Sequence, residues 1–326
     1  MKHLMMLCLF AVTGLMTACN YAAVESQNLV EKAIKQYETK NYKLATATFQ
    51  NAIDRNPNND TAYYYMALID MNYKDFKPAA QKLNQAIGIE PESALYWYTL
   101  GMANAGQAEQ LTDVNEADAM YYECVRAMNH AVQIDPHYAE ASLQKARCHV
   151  GSRKYDDAAA AYEASIRSNP KLKSEQNTTV NFTELGQLYA RFGFYNKAMS
   201  VLSNGFLINM DDAQLEAALA DVLFEMQRYQ EALTHYESAL KHLDKQGDTK
   251  LHAVAAMWGA GLCSLEMARE AMKSNQQRKA FDHYNNAKKS LTDYVDNAHM
   301  DSEKIRKADA AAKIKDIEDI LKDESI

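Results

Sequence analysis

The sequence predicts an all-α protein, built as an array of antiparallel helix pairs. The prolines supply the first observation. Pro57, Pro91, Pro136 and Pro170 are four of the five, and they are spaced by 34, 45 and 34 residues. The second is their context: each closes an apolar stretch through a short polar step, as in "AIDRNP", "AIGIEP", "AVQIDP" and "SIRSNP". Proline cannot continue a helix, so each one ends a unit. The third is composition. Only 11 glycines punctuate 326 residues, and Ala, Leu, Met, Lys, Glu and Gln, which favour helix, are abundant.

Seven units follow along the chain. The first carries Ala33, Tyr42, Ala45, Phe49, Ala52 and Pro57. The second has Tyr63, Ala67, Phe76, Ala79, Leu83, Ala86 and Pro91. The third opens with "WYTLG" (Trp97, Leu100, Gly101) and ends with Tyr121, Cys124, Met128, Ala131 and Pro136. The fourth shows Ala146, Tyr155, Ala158, Tyr162 and Pro170, and the fifth Phe182, Leu185, Gly186, Tyr195, Ala198 and Leu202. The sixth shows Leu219, Ala220, Tyr229, Ala232, Tyr236 and Ala239. The seventh is degenerate, with Met257, Gly261, Ala280, Tyr284 and Ala287. This pattern resembles the tetratricopeptide repeat (TPR) of 34 residues. The resemblance implies a right-handed superhelical solenoid and covers most of the chain after the N-terminal segment.

The residue types also follow from physics. Gly or Ala on helix A and Ala on helix B mark the place where two backbones approach, and a larger side chain there would clash. The aromatic at the turn fills the wedge before the next pair. No pair buries its apolar face alone, so stacking supplies the core.

The expected organisation is a signal segment over 1–18, a short tether over 19–27, repeats one to four over 28–170, and a polar linker over 171–179. Repeats five to seven then occupy 180–296, and a capping helix with a tail occupies 299–326. The 45-residue interval predicts an eleven-residue insertion within "NAGQAEQLTDVNEAD" (104–118), read either as a partner contact or as a lengthened helix or loop. In the cap, Ile305, Ala308, Ala312, Ile317 and Ile320 or Leu321 are expected on the buried stripe, with Asp301 or Ser302 as N-cap.

The N-terminus has a short basic start, then thirteen residues of mainly apolar character, "LMMLCLFAVTGLM", then Thr17 and Ala18. That is the layout of a secretory signal, and it is too short for a bilayer span of about 20 residues. Met16-Thr17-Ala18-Cys19 resembles a bacterial lipoprotein processing site, with Met16 where Leu is usual. The resemblance implies lipidation of Cys19, and Asn20 rather than Asp after it implies the outer membrane. Ordinary secretion, an uncleaved anchor and a buried helix are the other readings.

Net charge is −8, which argues against a nucleic-acid partner, since such binding rests on Lys and Arg neutralising phosphates. Cys124, Cys148 and Cys263 follow the signal and Cys19. Their odd number and wide spacing predict buried structural thiols rather than a disulfide framework. No phosphate loop, zinc spacing or His-Glu-x-x-His occurs, so the expectation is a non-catalytic protein with no metal site and no cofactor.

Family resemblance places the partner-binding face on helix A. The positions it implies are Val30, Ile34 and Tyr37; Tyr64, Leu68 and Met71; Tyr98 and Met102; Leu143 and Arg147; Thr183 and Gln187; Asp221 and Phe224; Trp258 and Leu262. From these, Tyr37, Tyr64, Leu68, Tyr98, Met102, Arg147, Gln187, Phe224 and Trp258 are the candidate binding residues. An aromatic, Met-rich groove with one isolated Arg suits peptides with apolar anchors rather than acidic tails, and equally suits packing within the array. The expected function is a membrane-tethered scaffold or adaptor for envelope proteins. Alternatives are a soluble co-chaperone-like module and a small-ligand receptor inside the solenoid.

Overall fold

The computed structural model describes residues 21–169, 172, 178–246, 250–298 and 303–323. Cys19 and the signal segment, Pro170, most of 171–179, and Asp301 and Ser302 lie outside them. The described residues are helices joined by short turns, with no strand among them, in two compact units, Met1–Ser168 and Asn169–Ile326.

The first unit holds four helix pairs: α1 (21–38) with α2 (Tyr42–Arg55), α3 (Asp60–Asn72) with α4 (Phe76–Ile89), α5 (Ala94–Gln110) with α6 (Val114–Ile134), and α7 (Ala139–Gly151) with α8 (Tyr155–Ser168). The small residues sit as expected: Ala33, Ala52, Ala67, Ala86, Ala131 and Ala146 are fully buried. Helix B contributes the large buried side chains, Phe49, Leu83 and Met128. At Gly101 an added Cβ would stand 2.4 Å from Met128 Cε and 3.3 Å from the Cys124 carbonyl oxygen. At that close approach of α5 and α6, a larger residue would require Met128 to move.

The turns inside most pairs share one geometry. Lys40, Lys74, Arg153, Gln227 and Asn275 adopt φ near +60°, and Gly193 does so at +74°. In each, the following amide reaches back five residues: Asp75 N–H donates to the Asp70 carbonyl at 2.9 Å, and Lys74 N–H to that of Met71 at 2.9 Å. These paired bonds satisfy carbonyls that the helix end would leave bare.

Several expectations change. Residues 21–27 are helix, not tether. Ala22, Ala23 and Glu25 favour helix, Ser26 is buried and donates to the Ala52 carbonyl at 2.8 Å, and Glu25 pairs with Arg55 at 3.6 Å. Of the readings of the insertion, the lengthened helix is the one observed, in both helices of the pair: α5 has 17 residues against 13 in α3, and α6 has 21 against 14 in α4. The cysteine expectation is overturned. Cys124 on α6 and Cys148 on α7 form a disulfide with Cα atoms 6.4 Å apart. Both stand at small-residue positions on helices packed side by side, which brings distant cysteines together. Cys263 is free and buried.

The second unit holds α9 (Val180–Arg191) with α10 (Tyr195–Phe206), α11 (Ala213–Glu225) with α12 (Tyr229–Gln246), α13 (Lys250–Lys273) with α14 (Gln277–Asn297), and α15 (Lys304–Asp323). The seventh pair, degenerate in sequence, is long, at 24 and 21 residues. Helix α15 packs on α14 through Ala310 and Ile317, with Ile314, Ile320 and Leu321 partly buried. Buried Glu303 accepts from Tyr294 Oη at 2.6 Å. The expected stripe holds at Ile317, Ile320 and Leu321 but not at its start, where Ile305 is 85% exposed and Ala308 and Ala312 are exposed. An Ala-rich helix offers several apolar stripes, and these contacts with α14 select one.

Candidate functional site: the inner faces of the repeat pairs

In the first unit the predicted tyrosines spend much of their surface on one another. Tyr65 stacks on Phe49 at 5.5 Å and meets the ring of Tyr37 at 5.4 Å. Tyr64 contacts Tyr65 at 5.4 Å and Tyr96 at 5.0 Å, and Tyr98 contacts Tyr138 at 5.1 Å. Such ring pairs contribute about 0.5–1.5 kcal/mol beyond area burial. Burial raises the Tyr64 hydroxyl above its ordinary value, partly offset by a hydrogen bond with Thr99. Tyr37, Tyr64, Leu68, Tyr98, Met102 and Arg147 are each half-buried. Val30, Leu143 and Thr183, placed on the inner face by resemblance, are core residues at 0, 1 and 4% exposure. Inner helices touch neighbours on two sides, so part of each predicted face is consumed by packing.

The second unit brings Gln187, Phe224 and Trp258 together around one cavity of about 690 Å³. Its walls come from α9, α11 and α13, with Tyr236 from α12 and Arg306 from α15. Gln187 is exposed, and Phe224 and Trp258 are half-buried. Trp258 is held by the Tyr294 ring at 5.3 Å and has Lys313 Nζ 6.0 Å from its centroid.

Asp221 opens onto this cavity and is exposed to it. Its Oδ1 accepts the buried Tyr236 hydroxyl at 2.5 Å. Loss of water to the surrounding walls raises the carboxyl above its ordinary 3.8; the Tyr236 bond opposes this, Glu225 adds to it, and Arg306 opposes it. Burial pushes the Tyr236 hydroxyl up, and the Asp221 charge pushes it further, so Tyr236 stays a donor. Gly259 lines the same wall because a Cβ there would lie 2.3 Å from Tyr236 Cζ. Arg191, Glu225 and Tyr236 were not among the candidate residues. Helical spacing carried a signal for the first two, which stand four residues after Gln187 and Asp221. Nothing in sequence placed Arg306 here. No group of three or more metal-ligating side chains occurs among the described residues.

Within each unit, successive antiparallel helix pairs define a fold of the helical-repeat class, and comparisons with known proteins match it to one repeat. The tetratricopeptide-repeat family model matches residues 108–172 and 217–275. The chain is 22% identical over 244 residues to a TPR repeat-containing protein of Methanocaldococcus jannaschii, covering 67% of this chain and 43% of that one. It is 24% identical over 160 residues to a DnaJ homolog subfamily C member 7 homolog of Dictyostelium discoideum, covering 44% and 28%. It thus spans less than half the length of either relative. Among solved structures, the C-terminal part of a TPR repeat-containing protein from Cytophaga hutchinsonii aligns with TM-score 0.61 at 13% identity, over 83% of this chain and 100% of that one. PilW, a type IV pilus biogenesis factor, aligns with TM-score 0.51 at 20% identity, over 65% and 90%. Tetratricopeptide repeats thus match two stretches of the chain, and the fold of the described residues is all-α.

Proposed function

We propose that this protein is a non-catalytic scaffold or adaptor of the bacterial cell envelope, lipid-anchored through Cys19, with the inner face of its second unit as a partner-docking site. The observation that carries the docking assignment is the cavity of about 690 Å³. There, half-buried Phe224 and Trp258 and the exposed carboxylate of Asp221 line one cavity. Such a mixed surface suits an extended peptide with side-chain anchors.

The Cys124–Cys148 disulfide supports the compartment, because disulfides persist outside the reducing cytosol. It agrees with the signal-like N-terminus and counts against a cytosolic co-chaperone. No described helix is long and apolar enough to cross a membrane, so attachment in this reading is by lipid.

The test is capture of partners from envelope extract by the mature chain and by a Phe224→Ser/Trp258→Ser variant whose melting shows it folded. Loss of specific partners is expected; retention of every partner would overturn the docking assignment. Cys19→Ala should move the protein from membrane to soluble fraction, and an unchanged distribution would overturn the anchor.

A further inference from the structure

We propose that the groove of the second unit seats a single lysine or arginine side chain of the partner segment, flanked in that segment by acidic residues. This rests on the docking assignment above and adds the chemistry of the anchor. Asp221 receives one hydrogen bond, from Tyr236 to Oδ1, and among the described residues its other oxygen has no donor. Glu225 stands one helical turn further on the same wall and is exposed, with no ion pair among the described residues. Like charges four residues apart on a helix repel, and the Glu225 charge adds to the burial that raises the Asp221 carboxyl. The chain therefore holds two carboxylates together at a cost that a bound cation would relieve.

The surroundings fit the rest of a lysine or arginine. Phe224 and Trp258 line the same cavity and offer aromatic surface to the side chain's methylene stem, while the charged end reaches the carboxylates. The two arginines of the wall limit the choice. Arg191 has no ion-pair partner among the described residues, and Arg306 has only Glu303, at 3.6 Å. They repel a run of basic residues and favour acidic neighbours beside one cation.

A residue kept for stability alone would not behave as Asp221 should. Its raised carboxyl means that neutralising it stabilises the fold, so a variant that binds worse while melting higher marks a group held for a ligand. The experiment titrates the mature chain into fluorescein-labelled peptides LEKLEL, LEQLEL and LKKLKL, read by anisotropy. LEKLEL should bind about tenfold more tightly than the other two. Asp221→Asn/Glu225→Gln should abolish that preference without lowering the melting temperature. Equal affinity for LEKLEL and LEQLEL, both weakened by Trp258→Ser, would overturn the cationic anchor and leave the docking assignment standing. Tightest binding of LKKLKL would overturn the acidic flanks. No binding of any peptide up to about 1 mM would overturn the proposal, while partner capture by the intact groove still judges the docking assignment separately.

Discussion

Cys124 and Cys148 are joined across two repeats, from the second helix of the third pair to the first helix of the fourth, and both sulfur-bearing residues are fully buried. The bond closes a loop with a sequence separation of 24, for which loop-closure entropy alone gives about 3 kcal/mol. Because both sites otherwise take small residues, Cys124→Ala/Cys148→Ala should fold. Its thermal midpoint should lie below that of the oxidised protein and stop responding to reductant. An unchanged midpoint in strong reductant would deny the bond a role in stability.

Two glycines should respond in opposite directions to alanine. At Gly259 a Cβ would stand 2.3 Å from the Tyr236 ring, which is tied to Asp221. Gly259→Ala should cost about 1–3 kcal/mol by overpacking. Gly88, near the end of α4, has nothing within 4 Å of such a Cβ. Gly88→Ala should gain about 0.5–1 kcal/mol, because glycine in a helix carries more entropy to lose. Chemical denaturation of both variants reads the two signs.

The left-handed turn residues hold unused stability. Gln227 sits at φ 61° and Lys74 at φ 61°, a region that costs a residue with a Cβ about 1–2 kcal/mol. Lys74→Gly and Gln227→Gly should each stabilise, by about 0.5–1 kcal/mol after glycine's greater unfolded entropy is counted. Arg153 carries an ion pair to Asp118 at 2.7 Å, so Arg153→Gly should gain less than the other two.

Asp221 makes a pH signature. Its folded pKa is raised above 3.8, so the folded state binds the extra proton between that value and the higher one. Stability from this group is therefore present below about pH 4 and is lost as pH rises through the folded pKa. Asp221→Asn keeps an acceptor for Tyr236 and should melt higher at pH 7. The advantage should disappear on acidification below the ordinary carboxylate range. An equal advantage at all pH values would mean that charge is not its cause.

The cap offers a control on register. Ile317 is 1% exposed and Ile305 is 85% exposed. Ile317→Ala should cost about 2–5 kcal/mol, whereas Ile305→Ser should leave the thermal midpoint unchanged.

Much of the fold was legible because a repeat states its rules several times. The prolines set the period, and Ala52, Ala86 and Ala131 mark the same close approach in successive pairs. What was not legible depended on contacts between pairs. Nothing local to Cys124 announces Cys148, since their meeting follows only from the stacking of α6 on α7. The expected stripe of α15 holds at Ile317 and not at Ile305, which is as apolar, and only the surface of α14 distinguishes them. The inner face was half legible. The family resemblance implied Gln187, Phe224 and Trp258, which line one cavity, but it could not separate a groove residue from a core residue such as Val30, nor bring Arg306 in from α15.

Docking of partners on the inner face of the second unit is open to direct test. The direct measurement is site-specific photo-crosslinking in living cells, with the crosslinker at exposed Gln187 inside the groove or at exposed Ser200 on α10 outside it. Discrete crosslinked partners from Gln187 and none from Ser200 are the expected result. Equal crosslinking from both positions, or none from Gln187, would contradict the claim.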